Sequence, residues 1–328
     1  MKTKSFLYGT VILALAVLAP FAAFAQSDKL SSTASLPSLV LGPEIAGGST
    51  AALSVARGEG AFALDNNVAA MPFSSGKLLD AAVAYSLWMP SLTADNYVSA
   101  GVTFKPIKSL GIGLSFRDRI QKPYQITTDS GSDSRDGTFK PGEFNCALGV
   151  SYAFLPYLSA GVSLRLLRSS LAPSAAGIAF GTDIALAYRQ AFGRNVISAG
   201  LSANNLGTKI KYGENAYAQP SLLKAGAAYS YLLGGKDAMS SHSSLTAAAE
   251  FDILFAGGMM ASAGLEYGFK DMVFVRAGYH YGDSQKAVPS FANVGVGLKF
   301  FGVSLNAAYL FGSENLGNSF SVSLGYSF

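Results

Sequence analysis

Ser319-Phe320-Ser321-Val322-Ser323-Leu324-Gly325-Tyr326-Ser327-Phe328 decides the fold. Phe320, Val322, Leu324, Tyr326 and Phe328 fall on one side of an extended strand, and only Ser and Gly fall on the other. That is strict period-two alternation. A large apolar face backed by a small polar one, ending on an aromatic residue, suits the closing strand of a transmembrane barrel: lipid meets one face, the lumen meets the other. A strand of a soluble sandwich also alternates, so the rest of the chain must discriminate.

Composition does so. Of the 328 residues, only 13% are charged and 50% are hydrophobic, with 36 glycines, and the mean hydropathy is positive. Soluble domains carry about 25% charged residues. After the N-terminus, no apolar run reaches the roughly 20 residues of a spanning helix. Apolar content delivered in short alternating pieces leaves a closed barrel as the spanning solution, because lipid cannot satisfy an open sheet edge.

At the N-terminus, Lys2 and Lys4 precede an apolar core from about Phe6 to Leu18, and Ala23-Phe24-Ala25 offers a cleavage point before Gln26. Residues 1–25 are expected to be a removed signal peptide, which puts the protein in the bacterial outer membrane as a multi-pass barrel. Losing Lys2 and Lys4 takes the formal charge from +4 to +2, too little to argue for nucleic acid as a partner. Outer-membrane lipid is the expected surrounding. The single cysteine, Cys146, cannot form an internal disulfide and reads as a small hydrophobe.

Residues 26–78 read as an N-terminal periplasmic or plug segment. Pro37, Pro43 and Gly47-Gly48 mark an extended lead, and residues 51–75 hold two short Ala-rich pieces suited to small helices. A plug would fill or line interior space. From Leu79 the alternation becomes regular and divides residues 79–328 into fourteen expected strands: 79–89, 96–105, 111–121, 143–154, 158–168, 177–188, 195–204, 221–233, 244–254, 259–268, 272–281, 291–300, 303–311 and 319–328. Placing the end of the last strand in the periplasm makes the links 301–302, 269–271, 189–194, 155–157 and 106–110 periplasmic, and all are short. The opposite links 312–318, 282–290, 205–220 and 122–142 are longer, as external loops are. Two links break the rule: 234–243 is long for a turn and 255–258 short for a loop, so a missed hairpin there would give twelve or sixteen strands.

The same alternation assigns the lumen. Arg117, Arg165, Asp183, Lys224, Glu250, Asp252 and Arg276 fall on the small-residue side, as do Arg119, Glu266 and His280. An Arg or Lys facing lipid at mid-depth would cost about 2–4 kcal/mol. Balanced signs among many Gly, Ala and Ser favour a salt-bridged filling over an ion path. Aromatic residues near strand ends, Tyr97, Tyr152, Tyr229, Tyr267 and Phe311 among them, read as interfacial girdles.

Catalysis finds little support. His242 lies in a Ser-rich link and His280 near a strand end, no Gly-x-Ser-x-Gly occurs, and two His with one Cys make a poor metal set. No catalytic residue, metal or cofactor is expected.

Residues 36–92 carry the most specific signal. LPSLVLGPEIAGGSTAALSVARGEGAFALDNNVAAMPFSSGK, followed by AVAYSLWMPSLTADNYVSAGVTF, resembles the opening of the PorV/PorQ branch of FadL-like outer-membrane barrels, with Pro43, Gly47, Gly48, Ala56, Asp65, Pro72, Trp88 and Pro90 in the matching places. AAGIAFGTDIALAYRQ, with Gly181 and Asp183, also looks like that branch. Met71-Pro72-Phe73 departs from it, standing where the family more often has Asn-Pro-Ala. The resemblance implies a fourteen-stranded barrel of a Bacteroidota-type outer membrane. It also implies a non-enzymatic partner subunit of a type IX secretion or outer-membrane assembly machine, working with other outer-membrane or periplasmic proteins. The alternative within the same family is a FadL-like passive channel for hydrophobic small molecules. Such a channel calls for a gap in the barrel wall, and a continuous wall around a salt-bridged interior would exclude it.

Overall fold

A computed structural model describes residues 54–58, 60–88, 95–126, 137–234, 243–282, 288–312 and 317–328. The expected signal peptide, the lead with Pro43, Gly47 and Gly48, and the residues Pro90 and His242 lie outside the described residues.

The described residues open with two one-turn helices, α1 (Ser54–Arg57) and α2 (Ala63–Asn66), and a 3-10 helix, Val68–Phe73. The strands that follow are β1 (Leu79–Trp88), β2 (Asp95–Ile107), β3 (Leu110–Ile120), β4 (Tyr124–Gln125), β5 (Thr138–Phe139) and β6 (Gly142–Leu155). Next come β7 (Leu158–Ala172), β8 (Ala175–Phe192), β9 (Asn195–Gly207), β10 (Ile210–Tyr212), β11 (Asn215–Tyr217) and β12 (Leu222–Leu233). The last six are β13 (Ser243–Leu254), β14 (Met259–Phe269), β15 (Val273–Gly282), β16 (Phe291–Phe300), β17 (Val303–Gly312) and β18 (Ser319–Ser327).

Fourteen of these form one closed antiparallel barrel, an up-and-down meander that β18 closes on β1. The seam runs in register from Asp80 opposite Ser327 to Leu87 opposite Phe320. Closure leaves no edge to be satisfied by lipid. β4 with β5 and β10 with β11 form two small hairpins inside the long connections. They sit within links expected as plain loops, because two or three residues of alternation are too few to read as strands.

The irregular link at 255–258 conceals no extra hairpin. Gly257 and Gly258, with φ of 92° and 124°, allow β13 to turn directly into β14. At the opposite end of the barrel, Lys270-Asp271 and Phe301-Gly302 all have positive φ. Positive φ at both central residues marks the tight turn whose twist matches paired strands. The barrel therefore has a turn end, where β1 starts and β18 stops, and a loop end. β7 and β8 run beyond their expected spans toward the loop end, to Ala172 and from Ala175.

Alternation holds throughout. Leu164 is 67% exposed on the outer face while its neighbours Ser163 and Arg165 are buried on the inner one. No helix among the described residues is long and apolar enough to cross a membrane.

Candidate functional site in the barrel lumen

The helical segment before β1 sits inside the barrel, in the half toward the turn end. Its seat is cut from glycines on the inner face of the wall. A Cβ on Gly200 would lie 1.9 Å from the Val55 carbonyl oxygen, one on Gly149 2.3 Å from Leu64 Cδ1, and one on Gly111 2.5 Å from Met71 Cβ. Gly101 meets Ala61 and Phe62 in the same way, and Gly161 meets Ala69. The small face seen in the alternation is thus the space the plug occupies. Leu64, Val68, Ala69, Ala70 and Met71 are buried there with Ala147, Ala185 and Ala187 of the wall. Met71 is fully buried and fills its niche with apolar volume.

Polar contacts lock the plug in place. Asn67 caps the 3-10 helix by accepting from Ala69 N–H at 3.0 Å, and its amide donates to the Val55 carbonyl at 2.7 Å and to the Leu186 carbonyl at 3.3 Å. Glu250 accepts from Val55 N–H at 2.8 Å. Lys105 donates to the Ser74 carbonyl and Ser159 to the Ala69 carbonyl. Asn67 was not among the expected residues, although an Asn just before a short helical run is an N-cap signal.

All seven expected lumen charges point inward, but they form separate groups. Arg165 bridges Asp65 of α2 at 3.2 Å and Asp183 of β8 at 3.1 Å. Asp183 also accepts from Ser163 and from Asn205 N–H, at a bulge where Thr182 and Ile184 face Leu206 and Ala203. Glu266 joins Arg57 at 2.9 Å to Arg276 at 2.7 Å. Lys224 lies 3.6 Å from Glu250 and opposite Asp252. Arg117 donates to Ser99 at 3.2 Å. Three of these groups fasten the plug: Asp65 comes from α2, Arg57 from α1, and Glu250 holds Val55 N–H of α1. Of the motif residues, Pro72 is buried in the 3-10 helix, and Trp88 is buried inside the lumen at the loop end.

The loop half of the lumen has a different character. Trp88, Tyr97, Leu222, Leu254, Met260, Phe291 and Leu310 turn inward there and pack with Val288 and Ala308 as one apolar cluster. Tyr97 was expected in the outer aromatic girdle; it is 4% exposed on the inner face, in phase with Ser99. Two residues further from the loop end on the same strands, the inner face becomes polar, with Ser86, Ser99, Lys224, Asp252, Ser262 and Asn293. An apolar layer therefore lies on a polar one. His280 stacks on Phe291 at 4.8 Å and shares a 2.9 Å hydrogen bond with Ser262 through Nδ1. Among the described residues no carboxylate joins this Ser–His contact to serve as the third, orienting group of a hydrolytic triad. Among the described residues no His, Cys, Asp and Glu cluster could hold a metal.

Beside the plug, toward the turn end, lies a cavity of about 210 Å³ bounded by Arg57, Phe62, Phe274, Arg276, Lys299 and Asn306. It separates the plug from β14–β18 and β1. The wall around it is continuous: each barrel strand is paired with both neighbours. The gap called for in a laterally opening channel is thus not seen, and the interior is only partly salt-bridged.

No family model matches the sequence, and no curated protein matches it. Solved structures do share the fold. The chain is similar to the CymD monoaromatic hydrocarbon channel, with a TM-score of 0.57 and 13% identity over 88% of this chain and 97% of that one. It is also similar to the toluene transporter TodX of Pseudomonas putida, with a TM-score of 0.52 and 13% identity over 84% of this chain and 96% of that one. The likeness is one of fold, a closed antiparallel barrel.

Proposed function

We propose that the protein is a passive channel admitting small hydrophobic molecules through an outer membrane. The observation that carries this reading is the apolar layer inside the loop half of the lumen. A water-filled pore has a polar interior, whereas here Trp88, Leu222, Leu254, Met260, Phe291 and Leu310 face inward. The fold supports the same reading, since the similar structures are a monoaromatic hydrocarbon channel and a toluene transporter. With a continuous wall, the route runs down the lumen and past the plug by the cavity between Phe62 and Phe274. Uptake of the apolar dye N-phenyl-1-naphthylamine tests this in cells whose outer membrane excludes it. Expressing the protein should raise uptake several-fold over the empty vector, and Leu254→Asp with Met260→Asp should remove the rise. Unchanged uptake with the folded barrel present in the outer membrane would overturn the reading.

The partner-subunit reading, first in line from the sequence resemblance, gains nothing from these structural likenesses. What supports it is the loop-end platform built by the long strands β7 and β8 with the β10–β11 hairpin packed on them through Ile210 and Tyr212. Its test is purification from membranes in mild detergent, where recovery of a lone monomer would count against it.

A further inference from the structure

The cavity of about 210 Å³ beside the plug is lined by more positive than negative side chains: Arg57, Arg276 and Lys299 against Glu266 and Asp80. Glu266 serves both arginines, Arg57 at 2.9 Å and Arg276 at 2.7 Å. Asp80 is turned to the chain beside it, accepting from Gly76 N–H at 3.2 Å and from the Ser327 hydroxyl at 2.6 Å. Lys299 donates to the Ser75 hydroxyl at 3.3 Å and has no carboxylate partner among the described residues. Three cations thus face two carboxylates across one concave space, and such a space draws in an anion. The rest of the lining suits a flat apolar body. Phe62 of the plug and Phe274 of β15 both border the cavity, and the Arg276 guanidinium lies over the Phe274 ring, 5.5 Å from its centroid. A cavity of about 150 Å³ holds one benzene, so this one has room for a single ring and an acid group.

We propose that this cavity is a binding site for a small one-ring monocarboxylate that enters from the turn end. The carboxylate meets the Lys299 ammonium at the rim, where the contact with Ser75 is exposed, and the ring lies between Phe62 and Phe274. Glu266 does not stand against it, because each of its oxygens already accepts from a guanidinium. One negative charge balances the lining, and hydrogen bonds to charged groups are the strong ones. A neutral molecule of the same shape gains the ring contacts alone, so the site selects by charge. It lies on the route proposed past the plug, yet it does not rest on that reading, since it fills from the turn end whether or not the lumen conducts.

Isothermal titration calorimetry of the full chain in detergent, with sodium benzoate and with its neutral isostere benzamide, tests the site. Benzoate should bind at least about tenfold more tightly than benzamide, the worth of a hydrogen bond to a charged group. Lys299→Met, which gives up only the exposed contact with Ser75, should weaken benzoate by about the same factor and leave benzamide unchanged, and Lys299→Arg should keep the wild-type preference. Ser304→Phe puts a ring into the cavity without touching a charge; it should abolish benzoate binding, and it decides the matter if Lys299→Met does not fold. No measurable benzoate binding, equal affinity for benzoate and benzamide, or full benzoate affinity in both Lys299→Met and Ser304→Phe would overturn the proposal. So would displacement of benzoate by an equal concentration of chloride, which would leave the cavity a place for counterions only. Dye uptake is a separate readout: uptake without benzoate binding removes this site and leaves the channel, whereas benzoate binding without uptake removes the channel and leaves this site.

Discussion

Trp88 of β1 and Phe291 of β16 meet edge to face inside the barrel, with ring centroids 6.3 Å apart and planes at 83°. Two strands, β18 and β17, separate them around the wall, so the pair bridges the lumen over the inner faces of both. Edge-to-face contact adds about 0.5–1.5 kcal/mol beyond burial. The first barrel strand is thereby tied to the third strand along the wall by side chains as well as by its seam.

This bridge fixes the spectroscopy of the protein. The sole tryptophan should emit at short wavelength in the folded state and resist acrylamide quenching. Phe291→Ala should redden the emission and open it to the quencher. Quenching of the wild type as strong as that of free indole would contradict the buried bridge.

The glycine seat predicts a positional sensitivity that hydropathy alone would miss. Gly200→Val forces a side chain against the Val55 carbonyl and should cost about 1–3 kcal/mol, the usual cost of overpacking. Gly142→Ala, with nothing within 4 Å of its Cβ, should be neutral. Thermal midpoints of the two variants in one detergent compare them directly. Limited proteolysis across residues 54–73 should also quicken only in Gly200→Val.

Asp183 holds Arg165, Ser163 and Asn205 N–H while 1% exposed. Asp183→Asn leaves the Arg165 charge with Asp65 alone, and breaking such a buried pair costs about 3–5 kcal/mol. Asp183→Asn should therefore unfold well before wild type on heating in SDS, read as the loss of the fast-migrating folded band. A shift no larger than that of an exposed substitution would show that Asp65 suffices.

The outer face makes a depth-dependent prediction. Leu164→Arg, at the middle of β7, should lower stability by about 2–4 kcal/mol, and Phe154→Arg near the turn end by about 0–1 kcal/mol. Folding titrations into lipid vesicles would rank them, and equal costs would mean that the lipid band is misplaced.

Much of this architecture is legible in residues 319–328 and their counterparts. Period-two alternation specifies both faces at once, so the fourteen strands and the inward charges follow from one rule. The rule also contained the apolar layer. Leu222 shares its phase with Lys224, Met260 with Ser262 and Phe291 with Asn293, which already places large apolar side chains in the lumen. Tyr97 has the residue type of an interfacial girdle, but the phase it shares with Ser99 puts it inside. The plug seat lay beyond reach for another reason. Gly101, Gly111, Gly149, Gly161 and Gly200 come from five different strands, and only the closed barrel brings them around one helical segment. The division of the charges into separate groups was hidden for the same reason, since Arg57 and Asp65 of the plug decide it.

The plug precedes β1 in the chain, yet two of its contacts reach β13 and β14: Val55 N–H to Glu250 spans 195 residues, and Arg57 to Glu266 spans 209. Contacts of such sequence separation are slow to form, because loop closure must come before any reward from them. The wall must close around a segment that no partial barrel can satisfy. Until β13 and β14 are in place, an assembling chain lacks the carboxylates that meet Val55 N–H and Arg57, so the seating of the plug is a late step in folding.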